Sequence, residues 1–366
     1  MKIAVDARPL SHALAGIGRY TDSLLREMIP RGHDWYLYSD RPLLVDYSAL
    51  GSVTVRSPEK VVRPGAIWSQ WGFVNWARQD RVDLFWSPRH HLPIFLPVKM
   101  KKLLTVHDLV WLRYPATMKP RGWLLELLFM PLSLLLADGI IAVSRFSAEE
   151  VSRTFHVSMD KIKTIPEAAF STSVELDDGE LPELLQKKYF LFVGTPEPRK
   201  NLNRLLEAYK NFLDRELDHK PALYIVGGSG WGHQISDTVQ SLDLDEHVSI
   251  LNDIDDAALE KLYKHAHVLL MPSLYEGFGL PILEAMSQGT PVITSNCSSL
   301  PEIAGKAALF IDPYDIQSIS DAMESLSENE KLRSELSAEA LLQASKFSWK
   351  TSADRTMEVM MKLLAE

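Results

Sequence analysis

Residues 275–285 read YEGFGLPILEA, and this stretch decides how the rest of the chain is interpreted. Two carboxylates, Glu276 and Glu284, stand on either side of a Gly-Phe-Gly-Leu-Pro turn, with seven residues between them. The proline suits the first turn of a helix, where an N–H group has no intrahelical partner. The pattern predicts a short apolar helix at 282–286, with free N–H groups at 278–280 facing a hydroxyl or an anion. On the spacing alone, a surface turn with two solvated glutamates is the favoured interpretation.

The composition indicates a globular protein with two domains of ordinary size. The chain has 366 residues, of which 46% are hydrophobic and 24% are charged, and this length is too great for one compact core. Its one cysteine, Cys297, excludes an internal disulfide and favours a reducing cytoplasm. The first residues, MKIAVDARPL, enter a strand pattern without the apolar core of a secretory signal. We therefore expect a cytoplasmic protein.

Charge is distributed unevenly between the two halves. Residues 1–170 hold 22 Lys+Arg against 16 Asp+Glu, a net of +6, whereas the remaining 17 against 32 give -15, and the sum is -9. A basic first half suggests that this half meets an anionic partner. Drift in surface composition would need no such partner.

Short apolar strands alternate with helix patterns throughout the chain. The first half predicts strands at 2–6, 35–38, 53–55, 82–86, 102–106, 139–143 and 162–166, and the second half predicts strands at 189–193, 222–226, 248–251, 268–271 and 291–294. This alternation is typical of parallel α/β domains. We predict one domain at 1–168 and a second at 169–346, joined by a polar linker at 171–188, with a final helical segment, 347–366, packing back onto the first.

The first loop of the chain carries glycines before a predicted helix. Gly16 and Gly18 allow a backbone to approach a phosphate at the helix start. The run is not the dinucleotide G-x-G-x-x-G pattern, and an ordinary tight turn explains it as well.

His107 and Asp108 follow the predicted strand at 102–106. In an open parallel sheet, ligands bind beyond the carboxyl ends of the strands, so His107 is placed to contact a sugar hydroxyl while Asp108 orients its ring. The alternative is a structural histidine held by a neighbouring carboxylate.

Arg199 and Lys200 lie in the turn GTPEPRKN at 194–201. A rigid guanidinium fork beside a point charge suits a diphosphate whose charge grows when its bond to a sugar breaks. A solvated charge pair is the alternative. The acidic pairs 243/245 and 253/255 lack the further ligands of a metal site, so we expect neither a metal nor a separate cofactor.

Residues 123–137 are strongly apolar but too short and interrupted to cross a membrane, which takes ~20 residues. The segment predicts a buried helix pair. The basic and aromatic residues around it suit a surface that rests on anionic lipid headgroups, although core packing also explains the aromatic residues.

Taken in order, these blocks resemble the family 4 retaining glycosyltransferases. The 276–284 stretch is similar to that family's E-x7-E motif, and GTPEPRKN lies in the matching order. Further matching blocks are GIGRYT at 16–21, HDL at 107–109, VSRFS at 143–147 and FSW at 347–349. The resemblance implies the GT-B fold, in which two Rossmann-like domains with parallel sheets face each other across a cleft.

The resemblance also implies roles for particular residues. Those implied in binding the donor are Gly16, Gly18, Arg199, Lys200, Asn252, Ile254, Glu276, Phe278, Gly279, Leu280 and Glu284. Those implied in catalysis are His107, Glu276, Arg199 and Lys200. The two cations would bind the diphosphate, with the two first-domain glycines closing over it, and Glu284 would hold the ribose. Glu276 and the N–H groups at 278–280 would hold the sugar, with His107 on its other side and the backbone at 252–254 bordering the base.

The implied chemistry is transfer with retention of configuration, in which the departing phosphate helps to deprotonate the acceptor. The blocks look most like bacterial mannosyltransferases that use GDP-mannose in O-antigen or other surface polysaccharide assembly. A UDP-hexose or GDP-fucose donor would need few changes. The implied acceptor is a glycan on a polyprenyl diphosphate at the inner face of the cytoplasmic membrane, with peripheral contact to anionic lipid and no nucleic acid. A nucleotide-sugar epimerase and an inactive binding protein are the rival interpretations.

Overall fold

A computed structural model describes residues 1–61, 65–170, 187–227 and 232–366 of the chain. These residues divide into two compact units: Met1–Glu167 with Ser348–Glu366, and Ala168–Phe347. The units differ from the predicted domains by one residue at each boundary. The predicted linker at 171–188 lies outside the described residues except for its last two.

Within the described residues, the first unit contains a parallel sheet of seven strands. The strands are β1 (Lys2–Asp6), β2 (Asp34–Tyr38), β3 (Val53–Arg56), β4 (Leu84–Ser87), β5 (Lys101–Val106), β6 (Gly139–Ala142) and β7 (Ile162–Thr164). Their order across the sheet is β3-β2-β1-β4-β5-β6-β7. Strands β4 and β6 are buried along their whole length, as is typical of a parallel sheet covered by helices on both faces.

The helices of the first unit connect these strands and return to cover them. They are α1 (Ile17–Met28), α2 (Gly65–Asp80), α3 (Val110–Arg113), α4 (Pro120–Leu136), α5 (Arg145–Phe155) and, from the end of the chain, α13 (Trp349–Ala365). Short 3-10 turns lie at Arg8–Ser11, Ile29–Arg31, Pro115–Thr117 and Met159–Lys161. Helix α13 packs on α1, β5 and β6, and the Ser352 hydroxyl donates to the Pro166 carbonyl at 2.6 Å.

The second unit repeats this architecture with a parallel sheet of six strands among the described residues. They are β8 (Tyr189–Val193), β9 (Ala222–Val226), β10 (Val248–Leu251), β11 (Val268–Met271), β12 (Val292–Ser295) and β13 (Ala308–Ile311). Their order is β10-β9-β8-β11-β12-β13. Strand β13 was not predicted; it is an edge strand of four residues that follows the helix end at Ala304–Gly305.

The helices of the second unit are α6 (Leu202–Leu213), α7 (Gly232–Ser241), α8 (Asp256–His265), α9 (Leu280–Ser287), α10 (Leu300–Ala304), α11 (Ile316–Glu328) and α12 (Glu330–Ala344), with a 3-10 turn at Pro198–Lys200. Helix α6 packs on α11, and both cover one face of the sheet through a continuous apolar cluster. The predicted fold class, two Rossmann-like α/β domains with parallel sheets, is confirmed.

The apolar segment at 123–137 differs from its prediction as a buried helix pair. It forms one helix, α4, with Pro131 inside it. Four of its leucines are at least 42% exposed: Leu124, Leu128, Leu132 and Leu135. Their spacing places them along one side of the helix, so the apolar run combines a buried face with an exposed one. No helix within the described ranges is long and apolar enough to span a membrane.

Candidate functional site

The turn after β8 is shaped by glycine and proline. Gly194 has φ +151° and lies so close to the next strand's end that a Cβ on Gly227 would stand 2.3 Å from the Gly194 carbonyl oxygen. Pro198 begins the 3-10 turn, where its missing N–H has no cost. Asn201 then adopts the left-handed region at φ 62° and starts α6. Such a turn holds Arg199 and Lys200 in fixed positions just beyond the sheet.

This turn is tied to the loop that follows β11. The Asn201 amide donates to the carbonyls of Pro272 at 3.0 Å and Pro313 at 2.7 Å, and the Leu274 N–H donates to the Arg199 carbonyl at 2.7 Å. Strands β8 and β11 are parallel neighbours, so the loops beyond their carboxyl ends meet at one edge of the sheet. Residues 76 apart in sequence are thereby brought into contact.

The two loops join through one shared carboxylate. Glu276 accepts from Arg199 Nη1 at 2.8 Å and from Lys200 Nζ at 2.6 Å, each on a different oxygen. Arg199 Nε also donates to Glu197 at 2.8 Å, a partner that the sequence analysis did not identify. Glu276 is 6% exposed and Lys200 8% exposed, so the alternative of a solvated charge pair is wrong. The two cations and the two carboxylates sum to zero charge.

The charges around Glu276 hold it ionised. Burial by itself favours the neutral carboxylic acid. The positive charges of Arg199 and Lys200 outweigh that effect and lower the pKa of Glu276 to about 2. The carboxylate therefore stays an acceptor of hydrogen bonds at any physiological pH and is not suited to act as a general acid.

The loop between Glu276 and α9 is held by a serine. The Ser299 hydroxyl lies 2.9 Å from the carbonyl oxygen of Glu276 and 2.9 Å from that of Phe278. Gly279 caps the helix with φ +107°, a conformation that side chains with a Cβ rarely adopt. The helix begins at Leu280, two residues earlier than predicted. The N–H groups predicted to meet the donor sugar thus lie at the start of an eight-residue helix.

The second carboxylate of the motif, Glu284, has a partner on a neighbouring helix. The Tyr263 hydroxyl donates to Glu284 Oε2 at 2.6 Å. Glu284 is half-buried, in contrast with the buried Glu276. The two glutamates therefore have different surroundings, and the part of a ligand that each would hold stays a prediction.

His107 follows β5, as predicted, but Glu167 and not Asp108 holds its ring. Its Nδ1 lies 3.0 Å from Glu167 Oε1, and its Nε2 donates to the Pro88 carbonyl at 2.9 Å. Because a carbonyl oxygen only accepts, Nε2 carries a hydrogen. Asp108 accepts instead from the Val110 N–H at 3.0 Å, at the start of α3. The predicted role of Asp108 was wrong because sequence adjacency does not bring a side chain onto its neighbour's ring.

Two further histidines lie next to His107. The backbone N–H of His107 donates to His90 Nε2 at 3.1 Å. The other ring nitrogen of His90, Nδ1, lies 3.5 Å from Glu126. His91 Nε2 lies 3.0 Å from the same carboxylate. The paired histidines at 90–91, three and four residues after the end of β4, were the signal in the sequence for this arrangement, which was not predicted.

Gly16 and Gly18 lie at the start of α1, in the first unit. Gly16 is the N-cap residue with φ +43°. A Cβ on Gly18 would lie 2.9 Å from the Pro9 carbonyl oxygen, so the loop requires this glycine. The Gly18 N–H already donates to the Ala15 carbonyl at 2.8 Å. Whether these residues meet a diphosphate stays a prediction.

The remaining predicted donor residues lie at the end of β10. Asn252 is exposed and Ile254 is half-buried, and Asp253 between them adopts φ 55°. Strand β10 is an edge of its sheet, two positions from β8. Among the residues that the structure describes, no three His, Cys, Asp or Glu side chains are grouped as a metal site.

Comparison with known proteins finds matches to both halves of the chain. A family model described as Glycosyltransferase Family 4 matches residues 14–168, and a model described as Glycosyl transferases group 1 matches residues 174–343. The chain is 31% identical over 385 residues to the O-antigen chain mannosyltransferase B of Escherichia coli, and the alignment covers 98% of each. It is 29% identical over 241 residues to the O-antigen chain mannosyltransferase RfbU of Salmonella typhimurium, covering 65% of this chain and 63% of RfbU.

The fold has a close counterpart among solved structures. Sucrose-phosphate synthase from Thermosynechococcus elongatus superposes with a TM-score of 0.79 at 19% identity, covering 100% of this chain and 99% of the synthase. At this identity the likeness concerns the fold.

Proposed function

The chain belongs to glycosyltransferase family 4, with the GT-B fold, and from that premise we propose that it transfers a mannosyl residue from GDP-mannose to a lipid-linked oligosaccharide in O-antigen-like assembly, with retention of configuration. The similarity to two O-antigen chain mannosyltransferases supports the choice of sugar. The observation that carries the proposal is the buried cluster of Arg199, Lys200 and Glu276 at the ends of two adjacent strands.

The cluster suits a leaving diphosphate. When the bond between the anomeric carbon and the phosphate oxygen breaks, the electron pair stays on the diphosphate, and its charge grows. Arg199 and Lys200 are already in place to stabilise that charge without reorganisation, which is the most effective form of electrostatic catalysis. Glu276, released from the cations by the diphosphate, becomes free to accept from the hydroxyls of the sugar.

The acceptor hydroxyl would attack from the same face that the diphosphate leaves. The new bond forms between the acceptor oxygen and the anomeric carbon, and the acceptor proton passes to an oxygen of the departing phosphate. This scheme needs no carboxylate as general base, in agreement with the low pKa of Glu276, about 2. His107, held by Glu167 and Pro88, would contact the sugar, and Glu284 would bind the ribose. The two-carboxylate scheme of hydrolases does not apply.

The exposed side of α4 supports peripheral binding to an anionic membrane. Leu124, Leu128, Leu132 and Leu135, hereafter the leucine stripe, present apolar surface along one side of this helix. The exposed cations Lys119 and Arg121 lie at its start, where the helix dipole does not favour positive charge. Cations beside an apolar stripe are typical of helices that rest in the headgroup region of anionic bilayers. A lipid-linked acceptor would be reached from such a surface.

A thermal-shift panel tests the donor proposal. The unfolding temperature would be measured with GDP, UDP and ADP, each with and without its sugar. GDP is expected to stabilise the folded protein most, by about 2.7 kcal/mol when its concentration is a hundred times its Kd. Lys200→Ala is expected to abolish most of this shift, whereas Lys331→Ala, which removes an exposed lysine 88% accessible to solvent, leaves it unchanged. Stabilisation by UDP alone would contradict the GDP assignment, and an equal response of Lys200→Ala and wild type would contradict the site.

The epimerase alternative is separated by product analysis. GDP-mannose would be incubated with the protein, with and without a lipid-linked acceptor, and both hexose isomers would be followed. Release of GDP only when acceptor is present supports transfer. Appearance of a second nucleotide hexose without acceptor would favour epimerisation.

A further inference from the structure

Three neighbouring strands of the first unit each deliver an arginine just beyond their carboxyl ends. Arg41 follows β2, Arg8 follows β1 and Arg89 follows β4, within three residues of the strand end in each case. These strands are adjacent and parallel in the order β2-β1-β4. All three arginines line one cavity of about 390 Å³. The carboxyl ends of parallel strands are where such folds bind their ligands.

Two of these arginines have carboxylate partners, and the third has none in the described residues. Arg8 Nε donates to the buried Asp6 at 2.8 Å, and Arg41 pairs with the buried Asp40 at 3.2 Å. The Arg89 side chain makes no hydrogen bond and no ion pair within the part of the chain that the structure describes, although it is only partly exposed. The three arginines and the two aspartates together carry a net charge of +1. Burial, together with the positive charge of Arg8, lowers the pKa of Arg89, and the negative charges of Asp6, Glu126 and Asp40 only partly offset that effect.

The same cavity is bordered by the loop that precedes α1. His12, Ala15 and Gly18 line it together with the arginines, so it lies beside the glycine turn that the proposed function places near the donor. Its residues all belong to the first unit, whereas Arg199 and Lys200 belong to the second. The arginines of this cavity are therefore different residues, in a different unit, from the two cations assigned to the donor diphosphate.

We propose that this cavity, hereafter the arginine cavity, is a phosphoryl-binding subsite that holds the diphosphate of the lipid-linked acceptor, with Arg89 as its principal ligand. The identity of the acceptor rests on the proposed transferase function, whereas binding of a diphosphate by the cavity does not. Guanidinium groups bind phosphoryl oxygens through paired N–H donors. Arg8 is fixed by Asp6 and by a bond of 3.0 Å to Ser69, so it supplies charge, while Arg89 has donors to offer.

Inorganic pyrophosphate is the probe for the cavity itself. Its binding would be measured by titration calorimetry on the full chain, alone and with saturating GDP, which occupies the Arg199–Lys200 site. With GDP present, Arg89→Gln is expected to weaken pyrophosphate binding about tenfold or more, and Arg41→Gln to weaken it less. Arg153→Gln is the matched control, because Arg153 is exposed on α5, and it should bind as wild type does. Equal pyrophosphate binding by Arg89→Gln and wild type would overturn the proposal.

Farnesyl diphosphate and vesicles distinguish the sources of the phosphoryl group. Arg89→Gln should weaken binding of farnesyl diphosphate about tenfold and leave the Kd for GDP unchanged. It should also leave unchanged the sedimentation with vesicles of phosphatidylglycerol and phosphatidylcholine. If Arg89→Gln also lost affinity for GDP, Arg89 would belong to the donor site. If it also lost binding to vesicles, Arg89 would bind lipid headgroups. Either result overturns the assignment of the cavity to the acceptor diphosphate.

These outcomes are separate from those of the proposed function. If no nucleotide stabilises the fold, the transferase proposal fails, yet pyrophosphate binding that depends on Arg89 would still establish the arginine cavity as an anion site. Arg89→Gln is expected to keep the unfolding temperature of wild type or raise it, because it removes a partly buried cation that has no ion-pair partner in the described residues. If that variant fails to fold, Arg41→Gln, whose side chain is 25% exposed, carries the same test, and unaltered pyrophosphate binding by it would then overturn the proposal.

Discussion

At the scale of single residues, the proposed donor site depends most on Glu276, because this carboxylate is the shared partner of Arg199 and Lys200. Removing one member of such a cluster leaves uncompensated charge in a medium that screens poorly. The ionised carboxylate therefore contributes both to the stability of the second unit and to the position of Arg199 and Lys200. The contribution of Glu276 to stability changes with pH, and its lowered pKa determines the direction of the change.

Glu276→Gln is expected to lower the free energy of unfolding by about 3–5 kcal/mol at neutral pH, because it leaves the buried Lys200 without its carboxylate partner and Arg199 with only that of Glu197. The folded pKa of Glu276, about 2, lies below its ordinary value of 4.5. The stabilisation is thus fully present above pH 4.5 and is lost as pH falls towards 2. Denaturant unfolding of both proteins between pH 7 and pH 2.5 measures the difference.

Glu207→Gln serves as the control for this series, since Glu207 is exposed on α6 and its replacement should change stability little at any pH. A difference between wild type and Glu276→Gln that stayed constant down to pH 2.5 would show that the Glu276 carboxylate is not stabilised by its neighbours.

At the scale of elements, α4 combines two roles that the sequence pattern could not separate. Met130 and Leu134 are buried in the core of the first unit, whereas the leucine stripe faces solvent. A helix of mean apolar character on all sides is either wholly buried or placed against something apolar. Its exposed side is therefore the surface on which membrane contact is tested.

Leu128→Asn with Leu135→Asn is expected to lower the partition coefficient onto vesicles of phosphatidylglycerol and phosphatidylcholine about tenfold or more, since each leucine that enters the headgroup region contributes on the order of 1 kcal/mol. These residues are 53% and 76% exposed, so the fold should tolerate the change. Co-sedimentation with vesicles measures the effect.

The matched control is Leu341→Asn with Leu342→Asn, a pair of leucines 50% and 61% exposed on α12 of the second unit. This variant should bind vesicles as wild type does. Equal losses in both variants would mean that any exposed apolar residue contributes, and no loss in either would remove α4 from membrane binding.

At the scale of the whole molecule, the chain leaves its first unit, forms the second and returns. Helix α13 buries Met360 and Leu363 against the first unit, and Asp354 pairs with Arg31 at 2.6 Å. The first unit is consequently discontinuous in sequence, whereas Ala168–Phe347 is one uninterrupted segment.

This organisation predicts that a fragment of residues 168–347 folds alone, while 1–167 without 348–366 does not reach native stability, because the contact surface of α13 is left bare. The second-unit fragment carries Arg199, Lys200, Glu276 and Glu284, so it should bind GDP within about tenfold of the full chain. Circular dichroism and calorimetry of the two fragments test this. A cooperative, wild-type-like transition for 1–167 alone would contradict it.

The α/β class, the parallel sheets and the two motifs of the proposed donor site could be predicted from the sequence alone. Strands such as Lys2–Asp6 and Tyr189–Val193 are buried on both faces, and their five-residue apolar runs are too short for a helix, which favours a strand. The turn within the E-x7-E motif could be predicted because a proline and a left-handed glycine fix its backbone locally. The burial of a helix was harder to predict than its position. Periodicity does not distinguish a helix enclosed in the core from one with an exposed apolar side, and the prediction for α4 was wrong for that reason.

The contacts between distant side chains could be known only from the tertiary structure. Glu167 lies 60 residues from His107 and holds its ring, Glu276 lies 76 residues from Lys200 and neutralises it, and three arginines meet because β2, β1 and β4 are neighbours. Strand order is set by packing of helices on both faces of a sheet and leaves no periodic trace in the sequence. Local patterns therefore gave the elements and their loops, whereas the partners of each charged group followed from the order of the strands.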